Sequence, residues 1–334
     1  MSIPFLAGDD YAYGSGLSAD GSTLVGYSGL MNNGNIAHAI RWTASGGTEY
    51  LGQLPGGQEF SIAYGVSGNG AVAVGSAFEA DPIRAFRWTS GGGMQALEQL
   101  SPTDPFGQAV AASADGSVIT GCSGTQEFRA VRWTPTGIQE IGVLPGGQQA
   151  VGTAITPDGS VVVGHSGSAN GNVAFRWTQT DGMQDLGKPS TVNSSFAQAV
   201  SADGSTIAAW GYSDTGSRLL RWTTAGGWAD LGSIGGVAFG MTADGSMIVG
   251  YGDSAFLWTE ALGIVDLSSY LAARGLDLSG WTLNEAEGIS ADGSVIMGNG
   301  FFNGNFSAWV VTIPSPGATT LLGLGGLMGS RRRR

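Results

Sequence analysis

Ser201-Ala202-Asp203-Gly204-Ser205 decides the fold, because the chain rewrites this stretch six more times. Close copies occupy residues 18–22, 113–117, 242–246 and 290–294. Looser ones are Thr156-Pro157-Asp158-Gly159-Ser160 and Ser67-Gly68-Asn69-Gly70-Ala71. Each precedes a short apolar or β-branched run, such as Val161-Val162-Val163-Gly164. Asp-Gly between two such runs is the strongest short hairpin signal, since a type I′ turn needs positive φ at both central residues. The turn glycines Gly21, Gly70, Gly116, Gly159, Gly204, Gly245 and Gly293 lie 41 to 49 residues apart, the period of propeller blades.

Within each period the signals keep one order. An apolar segment (Ala197-Gln198-Ala199-Val200) leads into the turn, and a second strand such as Met247-Ile248-Val249 leaves it. A third strand carries Arg-Trp-Thr, at residues 41–43, 87–89, 132–134, 176–178 and 221–223. Two later units keep the tryptophan alone, as Trp258 and Trp309. A glycine turn then opens a fourth strand, as in Gly182-Met183-Gln184-Asp185. Four short antiparallel strands in each of seven units predict an all-β, seven-bladed β-propeller over residues 1–312. An open β-solenoid is the rival, but the strand spacing fits blades better. The last unit lacks a fourth strand, and residues 3–8 read as the strand that closes the ring. Residues 267–275 break the pattern, with Leu267, Tyr270 and Leu271 at helical spacing and Gly275 as a stop.

Composition agrees with many tight turns: 59 of 334 residues are glycine, without the Gly-X-Y period of collagen. The net charge is −12, and four of the 14 basic residues stand together at the C-terminus, so the body is more acidic still. Such a surface repels phosphate backbones, which argues against nucleic-acid partners. Cys122 is the sole cysteine and reads as a small buried residue. With His38 and His165 the only histidines, neither a disulfide nor a Cys/His metal site is expected. No cofactor is expected either.

Residues 313–334 form a second unit. Pro314-Ser315-Pro316-Gly317 opens a run carrying Leu321, Leu322, Leu324 and Leu327, and Arg331, Arg332, Arg333 and Arg334 end it. The run is shorter than the roughly 20 residues of a comfortable membrane span. Terminal arginines would hold its end on the cytoplasmic side. The expectation is a short hydrophobic anchor helix.

Two resemblances follow from these residues. Ala85-Phe86-Arg87-Trp88-Thr89, Ala174-Phe175-Arg176-Trp177-Thr178 and His38-Ala39-Ile40 resemble the HAF-family extracellular repeat proteins, over nearly all of residues 1–312. The tail resembles a PEP-CTERM sorting signal, with Ser315 where the family has glutamate. That resemblance implies recognition by an exosortase-type transpeptidase, transient insertion in the inner membrane, removal of the tail, and delivery to the cell surface or exopolysaccharide matrix. Export by that route also predicts a leader upstream of Met1, because residues 1–10 carry neither a basic nor a long apolar region.

The repeated residues read as structure. Each turn aspartate is one carboxylate in a tight turn, whereas calcium needs six or more converging oxygens. The repeated tryptophans read as packing between blades. The repeated arginines are expected to pair with acids such as Glu49, Glu140, Asp185 and Asp230 on the neighbouring fourth strand. Candidates for ligand contact are the tryptophans outside the repeated position, Trp210, Trp228 and Trp281. Acids outside the repeat are Glu79, Asp81, Asp104, Glu285 and Glu287, and no nucleophile–base pair accompanies them. The expected protein is an exported, monomeric, non-enzymatic binding or structural module. A carbohydrate-binding propeller is the first alternative and a polysaccharide-cleaving enzyme the second.

Overall fold

In a computed structural model, which describes residues 1–31, 33–78, 83–124 and 127–314, the repeat forms seven antiparallel sheets. Blade five is typical, with strands Phe196–Val200, Thr206–Ser213, Gly216–Thr223 and Gly227–Ser233. The strands of each blade pair in chain order, and the first strands of successive blades contact one another around a common axis. The first strand is therefore innermost. The protein is a seven-bladed β-propeller.

Blade seven supplies Trp281–Ile289, Val295–Phe302 and Asn305–Thr312, and the N-terminus adds the fourth member. Ser2 bridges Trp309, the Ile3 N–H donates to Ala308 O (2.9 Å), and the Val310 N–H donates to Met1 O (3.0 Å). The ring closes as the sequence predicts, but the register differs. Pairing centres on Ser2 instead of residues 3–8, since Pro4 has no N–H to continue a ladder.

The Asp-Gly turn is also of a different type from the one expected. Gly21 lies at φ +72°, whereas among the described non-glycine residues only Asn303 has positive φ. Asp20 thus stays right-handed, in a type I turn followed by a left-handed glycine. Its side chain explains why. Asp20 Oδ1 accepts from Ser18 Oγ (2.6 Å) and from the Ser22 N–H (3.0 Å), while Ser18 Oγ accepts from the Thr23 N–H (2.9 Å). The same bonds recur around Asp115, Asp203 and Asp292.

These turns also tie the blades together. The Ala19 N–H donates to Gly68 O, Asn69 to Ala114, Ala114 to Pro157, Ala202 to Ala243, Ala243 to Ala291, and Ala291 back to Ala19, at 2.8–3.0 Å. One link is missing from this girdle, at Pro157, which has no N–H to give. Inside it, aliphatic residues from Leu17 and Ala19 round to Ile289 and Ala291 line a cavity of about 230 Å³ on the axis.

Each repeated tryptophan packs toward the preceding blade, as expected. Trp88 lies against Val25 and Ala39 of blade one, and Trp133 against Val72 and Val74 of blade two. Trp309 lies against Val249 and Leu257 of blade six. The arginines behave differently from expectation. Arg41 does face Glu49 (3.7 Å), but Arg41, Arg132 and Arg176 each donate to the turn-glycine carbonyl of the next blade, Gly70, Gly159 and Gly204. Glu140 faces Arg129 instead (4.0 Å), and Asp230 faces Arg218 (2.5 Å). The Arg-Trp-Thr strand runs close to the next blade's turn, and an unsatisfied carbonyl there is a better-placed acceptor than an exposed carboxylate.

The predicted helix is present as Leu267–Ala272, capped by Asp266 Oδ1 accepting from the Ser269 N–H (2.7 Å) and anchored by buried Leu267 and Leu271. Of the expected sorting motif, Pro314 to Gly317, only Pro314 is described. Ser315, Pro316, Gly317, the leucines from Leu321 to Leu327 and the four arginines lie outside the described residues, as does the expected anchor helix. Among the described residues no helix is long and apolar enough to cross a membrane.

Candidate functional site

All seven inner strands break register at the same place. The residues skipped are Ser15, Tyr64, Val110, Thr153, Gln198 and Phe239 in blades one to six, and Glu287 in blade seven. Such bulges re-aim a side chain. Blade seven has a second break between Leu283 and Glu285. Its inner strand therefore brings two of the off-repeat acids, Glu285 and Glu287, to one point.

Their partner comes from blade one. Tyr13 Oη lies 2.8 Å from Glu285 Oε2 and 2.7 Å from Glu287 Oε1. Asn299, fully buried, fixes the same seam: its Oδ1 accepts from the Gly14 N–H (2.8 Å) and its Nδ2 donates to Gly14 O (3.0 Å). That amide imitates a strand-to-strand pair between the last blade and the first. Burial pushes the Glu287 carboxyl up to about 8, with the Glu285 charge adding to it and the Tyr13 hydrogen bond opposing it. At neutral pH Glu287 therefore keeps its proton, and the two carboxyls act as a hydrogen-bonding pair. Burial, followed by the two glutamates, also raises the Tyr13 phenol far above its ordinary range.

Aromatic rings surround the pair. Tyr13 stacks between Tyr27 (5.3 Å between centroids) and Phe306 (6.2 Å). Tyr11 meets both edge-on, and Phe301 meets Phe306 edge-on. Phe301 is 39% exposed, so the patch is open to solvent. Trp281 packs on Phe302 at 4.8 Å, but that pair stands on the opposite face of blade seven from Phe301 and Phe306, because consecutive strand residues alternate faces.

The other two candidate tryptophans lie elsewhere. Trp210 stacks on Phe196 (4.6 Å) in a separate cluster with Tyr212 and His165 in blades four and five. Trp228 packs between the same blades and donates its Nε1–H to Leu186 O (2.6 Å). Asp104 sits in the loop between blades two and three, where its N–H donates to Ser101 O (3.2 Å). Glu79 and Asp81 lie outside the described residues. Sequence reasoning missed Tyr13 and Asn299. The available signal for Asn299 was an amide in the second strand at the place where blades one, four and six carry Tyr27, His165 and Tyr251. Among the described residues no three His, Cys, Asp or Glu side chains converge as a metal site would require. Cys122 is buried and its thiol is pushed up to about 12, so it is unreactive.

No family model matches the chain, and no curated protein matches it in sequence. Several solved structures share the fold. An oligogalacturonate lyase from Vibrio parahaemolyticus superposes with a TM-score of 0.58 at 11% identity, over 92% of this chain and 90% of that one. A puromycin hydrolase mutant complexed with PGG gives 0.59 at 14% identity, over 91% of this chain and 54% of that one. TolB from Acinetobacter baumannii gives 0.51 at 13% identity, over 74% of this chain and 63% of that one. This chain thus spans under two thirds of the TolB and hydrolase chains. At such identities the likeness is one of fold.

Proposed function

We propose that the chain is a non-enzymatic binding propeller that takes carbohydrate on the face where blades seven and one meet. The Glu285–Tyr13–Glu287 cluster, set in an open patch of aromatic rings, carries this reading. A sugar presents apolar C–H faces and a fringe of hydroxyls. Rings such as Phe301 and Phe306 offer surfaces for the first, and carboxyl oxygens accept from the second. The repeated tryptophans and arginines join blades and the repeated aspartates brace their own turns, so hydrogen-bonding chemistry stands out where blade seven departs from the repeat. Affinity for matrix polysaccharide that falls tenfold or more in Phe301→Ala and Glu285→Gln supports the reading. Unchanged affinity, or no affinity, overturns it.

The same proposal extends to location. Residues 314–334 keep the order of a sorting signal, with a proline pair, a leucine run and a basic end. The protein is then exported, held at the inner membrane through Leu321, Leu322, Leu324 and Leu327, processed by an exosortase-type transpeptidase, and released to the cell surface or matrix. A product outside the inner membrane that lacks the residues after about Pro316 supports this; an intact Arg334 on a cytoplasmic product contradicts it.

A polysaccharide-cleaving enzyme is the second reading, favoured by a protonated Glu287 beside a second carboxyl, that of Glu285. Both already touch one phenol, without the gap in which a glycosidic oxygen would sit, which favours holding over cleaving. Release of reducing sugar, abolished in Glu285→Gln, would reverse that preference.

A further inference from the structure

A cavity of about 640 Å³ lies at the seam between blades seven and one. Trp42, Leu276, Val295, Val310 and Val311 give it an apolar lining, and Met1, 71% exposed, stands at its edge. A smaller cavity beside it shares Met1, Leu276, Val310 and Val311. Thr312 lines the groove, and the tail starts at the next residue. We infer that the groove holds the chain's own segment 318–329 while the protein is in water.

Three observations lead to this occupant. The first is reach: Leu321 lies nine positions beyond Thr312, about 30 Å when extended, so the leucines can fold back over the lining. A segment rooted at the rim also has an effective concentration of about the millimolar order, which no free ligand matches easily. The second is polarity, since Leu321, Leu322, Leu324, Leu327 and Met328 need cover in water and the lining offers it.

The third is charge. Asp20, Asp277 and Asp292 are exposed beside the groove, on the segments that contribute Gly21, Leu276 and Val295 to it. Hydrogen bonds from neighbouring serines hold all three below the usual carboxylate range, so they are ionised. Arg331 to Arg334 follow the apolar run and carry the opposite charge, which complements them. The groove would thus shield the apolar run until a membrane takes it.

The test uses the full chain with Leu276→Cys and Leu322→Cys, oxidised in vesicle-free buffer. The buried Cys122 stays out of the reaction. An intrachain disulfide is expected at least tenfold faster than in a control pairing Leu322→Cys with Tyr212→Cys, and Val311→Arg should slow it to the control rate. Equal rates, or disulfides between chains only, overturn the inference. If the cysteine variants fold poorly, hydrogen exchange decides. Residues 310–312 should exchange faster in Leu321→Arg/Leu322→Arg/Leu324→Arg than in the natural chain, and equal exchange overturns the inference. Carbohydrate affinity is read separately, so either proposal can fail alone.

Discussion

Ala291 donates its backbone N–H to Ala19 O across 2.8 Å, joining the last blade to the first through two turn residues far apart in the chain. Turn amides at a protein surface ordinarily exchange quickly, because local opening exposes them. Here the amides of Ala19, Asn69, Ala114, Ala202, Ala243 and Ala291 can open only if adjacent blades part. Native-state hydrogen exchange should place all six at the slowest limit of the molecule, beside the inner strands. Exchange as fast as at Gly47, in an outer turn, would show that the girdle bears no load.

The turn glycines are required twice over, by φ and by the preceding blade. A Cβ on Gly116 would sit 2.4 Å from Val72 Cγ2 at φ +71°, whereas one on Gly47 meets open space at φ +69°. Gly47→Ala should cost about 1–2 kcal/mol, the price of a left-handed alanine. Gly116→Ala carries the steric clash in addition and should cost at least twice as much in urea unfolding.

Trp133 separates packing from hydrogen bonding. It is 4% exposed, packs on blade two, and donates its Nε1–H to Glu98 O at 2.6 Å. Trp133→Ala should cost about 3–5 kcal/mol. Trp133→Phe keeps most of the packing and leaves the carbonyl without its donor, so about 1–3 kcal/mol is expected. Equal losses would mean that inter-blade packing is not what the repeated tryptophan supplies.

The seam should respond to alkali. Glu287 sits at about 8 in the folded chain against an ordinary value of 4.5, so the folded state holds a proton that the unfolded state has lost. Its contribution is fully present below about pH 4.5 and is lost as pH rises through about 8. Glu287→Gln cannot ionise and should flatten the stability profile across that window. The turn aspartates act at the other end. Asp115, Asp203 and Asp292 sit at about 2, held down by serine hydrogen bonds, so their contribution is present above 3.8 and lost as pH falls toward 2.

Much of this architecture is legible in the sequence because the repeat states it seven times. The turn motif marks the blades, Trp-Thr marks the third strand, and departures such as Leu267–Ala272 and Glu285/Glu287 stand out against that regularity. What remains hidden depends on ring closure. Tyr13 and Glu285 are 272 residues apart, and nothing local tells which residues of blade one meet those of blade seven. The turn type was misjudged because Asp-Gly is compatible with two geometries. The serine hydroxyls that select between them act through side-chain bonds invisible to φ preferences alone. The arginine partners differ for a similar reason, since a carbonyl on the next blade leaves no mark in composition.

Titration calorimetry of the full-length protein with neutral and acidic matrix polysaccharides, beside Phe301→Ala and Glu285→Gln variants of unchanged thermal stability, tests the central claim most directly. The account predicts saturable binding by the natural chain that weakens tenfold or more in both variants, with no sugar released. Binding that is unaffected by either substitution, or absent for every polysaccharide tried, would contradict it.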